Sequence, residues 1–305
     1  MAILELNRVN KSFGSLEVIK DLSFAVEENT VFGFLGKNGA GKTTTMKMIL
    51  GFLQSDSGEI KVCNQKVAYG NTKTNRYIGY LPDVPEFYGY MTAKEYLKLC
   101  GEITGQKSAV LQSRIQEMLG LVGLEGSKHR IRGFSRGMKQ RLGIAQALLN
   151  EPKLLICDEP TSALDPVGRK EILDILAVAK QRTTIVFSTH ILSDVERICD
   201  SVGILNQGRL ALQGKVADIK NNYRRDVIRI ETAKDYPPDV IITKLKEKPY
   251  VSEVTLREPY IEILLSGGEM NPGQILELLS AEQVPLLRYE VMEPSLENVF
   301  LEVVQ

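Results

Sequence analysis

The chain has 305 residues, of which 43% are hydrophobic and 25% charged, and its 38 basic and 38 acidic residues give a formal net charge of +0 at pH 7. This length is enough for two domains, while the balanced charge argues against a global field that would attract nucleic acid or an anionic membrane. Four scattered cysteines without a C-x-x-C pair, and no run of the roughly 18–20 apolar residues that span a bilayer, predict a reduced, cytoplasmic protein without a membrane-spanning helix.

The first 32 residues have the alternating pattern of short β-strands. The pattern predicts strands over 3–6, 16–19 and 22–26, with a break at Phe13-Gly14-Ser15. An antiparallel β-layer of this kind would bring Phe13 close to the glycine-rich loop that follows residue 35. A further strand is predicted over 59–67, after the turn-forming residues 51–58.

The glycine-rich loop lies between a strand-like apolar run, 31–35, and a helical pattern over 42–50. Its sequence, Gly36-Lys-Asn-Gly-Ala-Gly-Lys-Thr43, fits the phosphate-loop pattern G-x-x-x-x-G-K-[ST] in full. The glycines let backbone N–H groups converge on an anion. Lys42 can reach the β and γ phosphates of a nucleotide, and Thr43 can offer its hydroxyl to Mg²⁺. The sequence therefore predicts a nucleotide site with a magnesium ion.

A nucleotide in this loop offers Phe13 a partner, because its ring could stack on adenine. Packing at a strand end explains the same residue equally well, and periodicity does not decide between the two. The loop residues predicted to contact the nucleotide are Gly36, Lys37, Asn38, Gly39, Ala40, Gly41, Lys42, Thr43 and Thr44.

A helical insert is predicted over about 84–150. It follows a short strand from residue 78 and a proline-stiffened loop, so that Asp83 lies at a strand end. The first helical pattern begins with the capping box Thr92-Ala-Lys-Glu95. A later helix begins at Ser135, its predicted N-cap. The serine and the glycine at this helix start either cap the helix alone or form a second anion site.

Two acidic residues, Asp158 and Glu159, end a buried strand that begins at residue 154. At the edge of the sheet beside the phosphate loop, Asp158 can hold Mg²⁺. Glu159 faces the other way and can orient or deprotonate a water molecule. Another buried strand, over 183–187, leads to His190, a candidate contact for the γ-phosphate or the attacking water. The other histidine, His129, is expected to be solvated in a basic loop.

Two further helix starts follow from capping patterns. Asp165, before Pro166, is predicted as the N-cap of a helix, and capping alone could account for this aspartate. The stretch Ser193-Asp-Val-Glu196 is predicted to begin another helix with a capping box.

Beyond residue 221 the hydrophobic pattern changes, which predicts a division into domains 1–220 and 221–305. Strand, helix, strand, strand, helix and strand are predicted in that order over 227–231, 240–245, 251–256, 260–265, 272–280 and 286–291. This is the order of a ferredoxin-like α+β domain. A short helix is predicted from Pro294. From Arg224 onward there are 9 basic and 15 acidic residues, a balance that argues against nucleic acid.

Taken together, these stretches resemble the ATP-binding subunit of an ATP-binding-cassette (ABC) transporter over roughly residues 1–220. The matching positions, in the order that the family has them, are Phe13, the loop 36–43, Asp83, the signature from Ser135, Asp158 with Glu159, the segment 162–165, and His190. The resemblance implies an α/β fold with a P-loop NTPase core of the ABC ATPase type, an antiparallel β subdomain and a helical insert.

The resemblance also implies a dimer of two copies that holds two ATP molecules head to tail. The residues that would grip the γ-phosphate of the other copy's ATP are Ser135, Arg136, Gly137 and Met138. The segment 162–165 would communicate across the interface. Catalysis would rest on Lys42, on Glu159 as general base, and on His190.

Two positions depart from the family's usual pattern. Arg136 stands where the signature commonly has glycine, and it adds charge to the site. Asp83 stands where a glutamine usually contacts Mg²⁺ and the attacking water. Its shorter, anionic side chain is expected to reach Mg²⁺ only through water.

The closing stretch from Pro294 to Glu302 looks like the ending of exporter ATPases of the ABC-2 type, whose membrane subunits are separate chains. It implies a transmembrane permease as partner and a position on the inner face of the cell membrane. The alternative is an ABC-type ATPase of non-transport machinery, acting on ribosomes or DNA. A soluble kinase that uses the phosphate loop would leave the signature and His190 unexplained.

Overall fold

The computed structural model describes residues 1–71, 73–222, 227–266, 273–292 and 295–304. They form two compact units. The first comprises Met1–Val216 with the end of the chain from Phe300, and the second comprises Ala217–Val299. Compactness alone does not establish independent folding, so the domain division at residue 220 stays a prediction.

Among the described residues, the first unit contains ten strands and six helices. A seventh helix begins at Val216, where the second unit follows. These elements are β1 (Ala2–Phe13), β2 (Leu16–Glu27), β3 (Val31–Gly36), α1 (Lys42–Ile49), β4 (Ser57–Val62), β5 (Gln65–Lys66), β6 (Ile78–Leu81), α2 (Ala93–Ile103), α3 (Ser108–Leu121), α4 (Arg136–Leu148), β7 (Leu154–Asp158), α5 (Pro166–Ala179), β8 (Thr184–Thr189), α6 (Leu192–Ile198), β9 (Ser201–Asn206), β10 (Arg209–Lys215) and α7 (Val216–Asn222).

Two sheets form the first unit. The larger has the order β10-β9-β3-β8-β7-β6, and its strands β9, β3, β8, β7 and β6 pair in parallel. Every residue of β3, β7 and β8 is buried, as apolar strands covered on both faces must be. The carboxyl ends of these three strands therefore meet at one edge, where polar side chains can converge.

The smaller sheet is antiparallel and has the order β2-β1-β4-β5. Phe24 of β2 packs against Phe32 and Phe34 of β3, with ring centroids 5.3 Å and 5.4 Å apart. Aromatic stacking of this kind adds to the free energy gained from buried area. The predicted P-loop core with an antiparallel β subdomain and a helical insert is confirmed.

Some predicted element boundaries were wrong for reasons visible in the backbone. The predicted strands 16–19 and 22–26 are one strand, β2, because Asp21 takes a left-handed φ of 50° and its N–H bonds to Asn10 Oδ1 at 2.8 Å. Such a bulge adds a residue without ending the strand pairing. The predicted strand 59–67 is interrupted, because Cys63 and Asn64 both have positive φ and form a tight turn between β4 and β5.

Three predicted caps are confirmed and one was wrong. Thr92 and Glu95 form a reciprocal capping box at α2, and Ser135 and Asp165 cap α4 and α5. The capping box at Ser193 is absent: α6 begins one residue earlier, at Leu192, without a side-chain cap. The Ser193 hydroxyl instead accepts a hydrogen bond from Arg169.

The second unit has the predicted ferredoxin-like order. Its described elements are β11 (Val227–Thr232), α8 (Pro238–Lys246), β12 (Val251–Arg257), β13 (Tyr260–Leu265), α9 (Gly273–Ala281), β14 (Leu286–Met292) and α10 (Leu296–Val304), of which α10 crosses the border between the units. The sheet is antiparallel in the order β12-β13-β11-β14. The predicted helix starts at Pro272 and Pro294 lie outside the described residues.

All four cysteines are free thiols. Cys157 lies fully buried in β7, while Cys63, Cys100 and Cys199 are partly covered. Burial raises the pKa of each of the four thiols above its usual value. Among the described residues, no helix combines the length and apolar character needed to cross a bilayer.

Candidate functional site

The loop between β3 and α1 requires glycine at two positions. Gly41 has a φ of +107°, and a Cβ there would lie 2.5 Å from Ile19 Cδ1. A Cβ at Gly36 would lie 2.8 Å from the carbonyl oxygen of Leu205. Because both positions exclude a side chain, the loop keeps its backbone N–H groups open toward the N-terminus of α1, the arrangement that binds phosphate.

Lys42 begins α1 and is the buried cation of this site, with 6% of its surface exposed. Its Nζ donates to the carbonyl oxygen of Gly36 at 2.7 Å and lies 3.2 Å from Glu159 Oε1. A buried ammonium needs such partners, since an unpaired charge in this position would be strongly unfavourable. Lys42 is thereby held between the loop and the end of β7.

Asp158, at the end of β7, is held by two hydroxyl groups. Thr43 Oγ1 donates to Asp158 Oδ2 at 2.8 Å, and Ser188 Oγ donates to Asp158 Oδ1 at 2.6 Å. Ser188 is completely buried and lies directly opposite Asp158 in the pairing of β7 with β8. The prediction from sequence did not assign Ser188 a role. The available signal was that two neighbouring parallel strands both end in polar residues.

Glu159 lies in a strained backbone conformation, with a φ of 48°. Its N–H donates to both the carbonyl oxygen and the Oγ of Ser188, at 3.1 Å and 3.0 Å. The Glu159 carboxylate has Lys42 on one oxygen and His190 Nδ1 on the other, at 2.9 Å. Ser188 thus fixes both acidic residues, and the predicted site residues Lys42 and His190 both contact Glu159.

These groups open onto a cavity of about 410 Å³, here called the phosphate pocket. The residues that line it are Val18, Lys37, Asn38, Gly39, Gly41, Lys42, Thr43, Thr44, Asp83, Glu159, Ser162 and His190. Gly36 and Ala40 belong to the same loop but do not line the pocket. Phe13 does not line the pocket: it is 49% exposed, and Lys11 Nζ lies 5.3 Å from the centre of its ring. Stacking of Phe13 on adenine stays a prediction, and Val18 is a lining residue that the sequence did not reveal.

Asp83 is connected to α4 through its backbone and its side chain. Gln140 Nε2 donates to the Asp83 carbonyl oxygen at 2.6 Å, and Arg136 Nη2 lies 3.4 Å from Asp83 Oδ1. Burial raises the pKa of Asp83 above its usual range; Arg136 opposes this shift, and the negative charges of Asp158 and Glu159 add to it.

The signature residues do not line the phosphate pocket. Ser135 caps α4 by accepting a hydrogen bond from the Met138 N–H at 3.2 Å, and the serine itself is exposed. The residues that line the phosphate pocket do not include Ser135, Arg136, Gly137 or Met138. The start of α4 therefore lies beside the phosphate pocket, in contact with its lining residue Asp83 through Arg136.

A buried carboxylate behind the site was also missed. Asp194 is 2% exposed and accepts hydrogen bonds from Thr161 Oγ1 and Arg169 Nε, each at 2.7 Å. Thr161 directly precedes the segment 162–165, and Asp194 follows His190 by four residues. Asp194 therefore connects the chain after Glu159 with the helix after His190. Since Thr161 and Arg169 are distant in sequence from Asp194, no local pattern indicates the network.

The oxygen atoms beside the loop fit a magnesium ion. Thr43 Oγ1, at the start of α1, and Asp158 Oδ2, at the end of β7, lie 2.8 Å apart, and both are hard oxygen ligands. Mg²⁺ prefers one or two such protein ligands together with phosphate and water. Among the described residues, no group of three or more His, Cys, Asp or Glu side chains could hold a metal alone. A site of this kind depends on the phosphate for its remaining ligands.

Comparison with known proteins gives two family matches. Residues 19–162 match the family described as ABC transporter, and residues 214–304 match the C-terminal domain of DrrA1-3-like ATP-binding proteins. The chain is 40% identical over 304 residues to YxlF of Bacillus subtilis (strain 168), an uncharacterized ABC transporter ATP-binding protein, and the match covers 99% of each chain.

Two further relatives carry names that describe a function. The linearmycin resistance ATP-binding protein LnrL of Bacillus subtilis (strain 168) is 33% identical over 98% of this chain and 97% of its own. The bacitracin transport ATP-binding protein BcrA of Bacillus licheniformis is 34% identical over 99% of this chain and 97% of its own. Among solved structures, an ATP-binding subunit of an ABC transporter is 31% identical, with a TM-score of 0.66 over 80% of this chain and 100% of that chain.

Proposed function

Since the chain belongs to the family of ABC transporter ATP-binding proteins and is an ATPase, we propose that its ATP hydrolysis drives the export of a substrate through a separate transmembrane permease. The names of two relatives, one for linearmycin resistance and one for bacitracin transport, support an export role. The acidic composition from residue 224 onward argues against the nucleic-acid machinery of other ABC-type ATPases. In this role the chain would lie at the inner face of the membrane, bound to the permease.

The observation that carries the proposed dimer is that the signature residues do not line the phosphate pocket of their own chain. Ser135, Arg136, Gly137 and Met138 lie at the start of α4, outside the residues that line the phosphate pocket of their own chain. A helix start with an exposed N-cap is suited to bind phosphate. We propose that these four residues contact the γ-phosphate of ATP bound by a second copy, in a head-to-tail dimer that encloses two nucleotides.

Within each phosphate pocket, Lys42 and the loop N–H groups would hold the phosphates, and Thr43 and Asp158 would hold Mg²⁺. When bound, Mg²⁺ neutralises negative charge on the β and γ phosphate oxygens. Glu159 accepts a proton from the attacking water, as its contact with His190 and its 14% exposed side chain permit. His190 orients the same water and contacts the γ-phosphate. Asp83 lines the pocket and is expected to contact Mg²⁺ through water.

Co-purification tests the proposed partner. A tagged Glu159→Gln chain would be expressed in the native host, its membranes solubilised gently in the presence of ATP, and the bound proteins identified. We expect a polytopic membrane protein in stoichiometric amount, because blocked hydrolysis prolongs the ATP-bound assembly. Lys42→Ala, which removes the cation from the phosphate pocket, is the control. Any membrane protein that co-purifies with this variant should do so to the same extent with and without ATP. Recovery only from the soluble fraction, or with ribosomes, would instead indicate non-transport machinery.

A further inference from the structure

Asp83 borders two cavities of the first unit. It is one of the residues that line the phosphate pocket, and it also lines a neighbouring cavity of about 460 Å³, here called the signature pocket, together with Arg136 and Gln140. The proposed function assigns the first cavity to the chain's own ATP and the start of α4 to the ATP of the second copy. Asp83 is therefore the residue at which the two nucleotide sites meet within one chain.

The backbone of Asp83 is bound more tightly than its side chain. Its carbonyl oxygen accepts a 2.6 Å hydrogen bond from Gln140, which is completely buried. Among the described residues, its carboxylate forms one ion pair, a 3.4 Å contact with Arg136 in which the Asp83 and Arg136 side chains are 46% and 44% exposed. Half-exposed ion pairs of this length are weak. The carboxylate can therefore change its partner while the loop stays attached to α4.

The charges around Asp83 indicate which partner would replace Arg136. Glu159 lines the phosphate pocket and Asp158 precedes it at the end of β7, and the negative charges of both act on Asp83. A divalent cation held by Thr43 and Asp158 would add a positive charge beside these carboxylates, to which the Asp83 carboxylate is attracted. Asp83 would then be drawn from a half-solvated guanidinium toward the ion, directly or through water.

We propose that Asp83 is a positioning residue that restrains Arg136 until Mg²⁺ and ATP bind in the same chain, and then releases Arg136 to the ATP of the second copy. The inference rests on the proposed dimer. It accounts for both departures from the family's usual pattern together, because the aspartate and the arginine are partners. As a result, the contact of each chain with the ATP of the second copy depends on the Mg²⁺ bound in the first.

The expected effect is modest for one chain and larger for a dimer. A half-exposed ion pair changes an equilibrium by about 1.4- to 5-fold. Two such pairs are released when a dimer forms, so the combined effect is about 2- to 30-fold. By reciprocity, dimer formation strengthens Mg²⁺ binding by the same factor.

The experiment measures dimerisation, not turnover. In the Glu159→Gln background, sedimentation equilibrium at saturating ATP gives the association constant with Mg²⁺ and with EDTA. We expect Asp83→Asn to raise the association constant in EDTA by about 2- to 30-fold, because Arg136 is no longer restrained. Arg136→Gly should lower the constant more with Mg²⁺ than with EDTA. The double variant should match Arg136→Gly, since Asp83 then has nothing to release.

Controls separate this role from a structural one. Glu86→Gln removes an equal charge from the signature pocket and should leave the Mg²⁺ dependence unchanged, because among the described residues Arg136 pairs with Asp83 and not with Glu86. Asp83→Glu should restore the dependence that Asp83→Asn removes, and thermal unfolding would verify that each variant is folded. A lower association constant for Asp83→Asn in both conditions, or an additive double variant, would overturn the inference while the proposed function stands. Absence of an ATP-dependent dimer in every variant would overturn the proposed dimer and this inference with it.

Discussion

The two units differ in what they bury. In the first, polar side chains such as Lys42, Gln140, Asp158, Ser188 and Asp194 are no more than 6% exposed. Among the described residues of the second unit, no polar or charged side chain is buried, and the core consists of isoleucine, leucine and valine. Burying a polar group costs free energy unless it is fully bonded. The first unit thus depends on specific hydrogen-bond partners to hold its buried polar groups in position, whereas the core of the second unit serves packing.

The strongest test of this comparison is Glu159→Gln. Amide for carboxylate keeps the shape of the side chain but removes the proton acceptor, so we expect ATP turnover to fall by about 10²- to 10⁴-fold. ATP affinity should stay close to that of the unmodified protein, because the loop and Lys42 remain in place. Steady-state hydrolysis and nucleotide binding by equilibrium dialysis measure the two effects. Near-normal turnover would remove Glu159 from its assigned role.

Asp194→Ala tests whether buried polar groups behind the site are required. The change leaves the buried Thr161 hydroxyl and the Nε of Arg169 without their acceptor, although Arg169 still donates to Ser193. We expect the first unit to lose about 2–4 kcal/mol of unfolding free energy, somewhat less than for a fully buried pair, because Arg169 keeps access to solvent. Urea unfolding measures it, and added ATP identifies the transition of the nucleotide-binding unit. Asp194→Asn, which retains an acceptor oxygen, should lose less; an equal loss would contradict the bonding argument.

Ile263→Val is the matching change in the core of the second unit. Ile263 is fully buried in β13, and removing one methylene group should lower the unfolding free energy of that unit by about 0.5–1.5 kcal/mol. The transition affected should be the one that ATP does not shift, and turnover should not change. A fall in turnover together with the loss of stability would mean that the second unit does more than pack.

A small effect is expected where a charge pair is exposed. Hydrogen bonds from Arg114 and, to a smaller extent, from Arg182 lower the pKa of Glu117, whose side chain is 41% exposed. A carboxyl group whose pKa is lowered by folding stabilises the folded protein at pH values above the ordinary pKa of a glutamate. This contribution disappears as the pH falls through the pKa that the group has in the folded protein. Glu117→Gln should therefore cost about 0.2–1 kcal/mol at pH 7 and flatten the acid side of the stability curve. Urea unfolding from pH 7 to pH 3 measures both, and a steeper acid loss in the variant would contradict the sign.

The sequence predicted the parts of the site that are local. The loop from Gly36 to Thr43, the carboxylates at the end of β7, and the caps Ser135 and Asp165 each depend on a few consecutive residues. The capping box at Ser193 failed because a partner distant in sequence, Arg169, takes the serine hydroxyl.

The rest of the site depends on pairing between distant segments. Ser188 acquires its role only because β8 pairs with β7 in a register that sets it opposite Asp158. Val18 reaches the phosphate pocket through the antiparallel sheet, and Asp194 joins chain segments more than 20 residues apart. Hydrophobic periodicity specifies which face of a strand is buried, but it does not specify which strand lies next to it.

The four covered cysteines have a practical consequence for following motion in this protein. Alkylating reagents react with the thiolate, and burial raises the pKa of all four thiols, so the native protein should label slowly at neutral pH. A cysteine introduced at an exposed position, such as Val110 on α3, would then react first. The chain can therefore carry a single fluorescent reporter on its helical insert without prior removal of its own thiols.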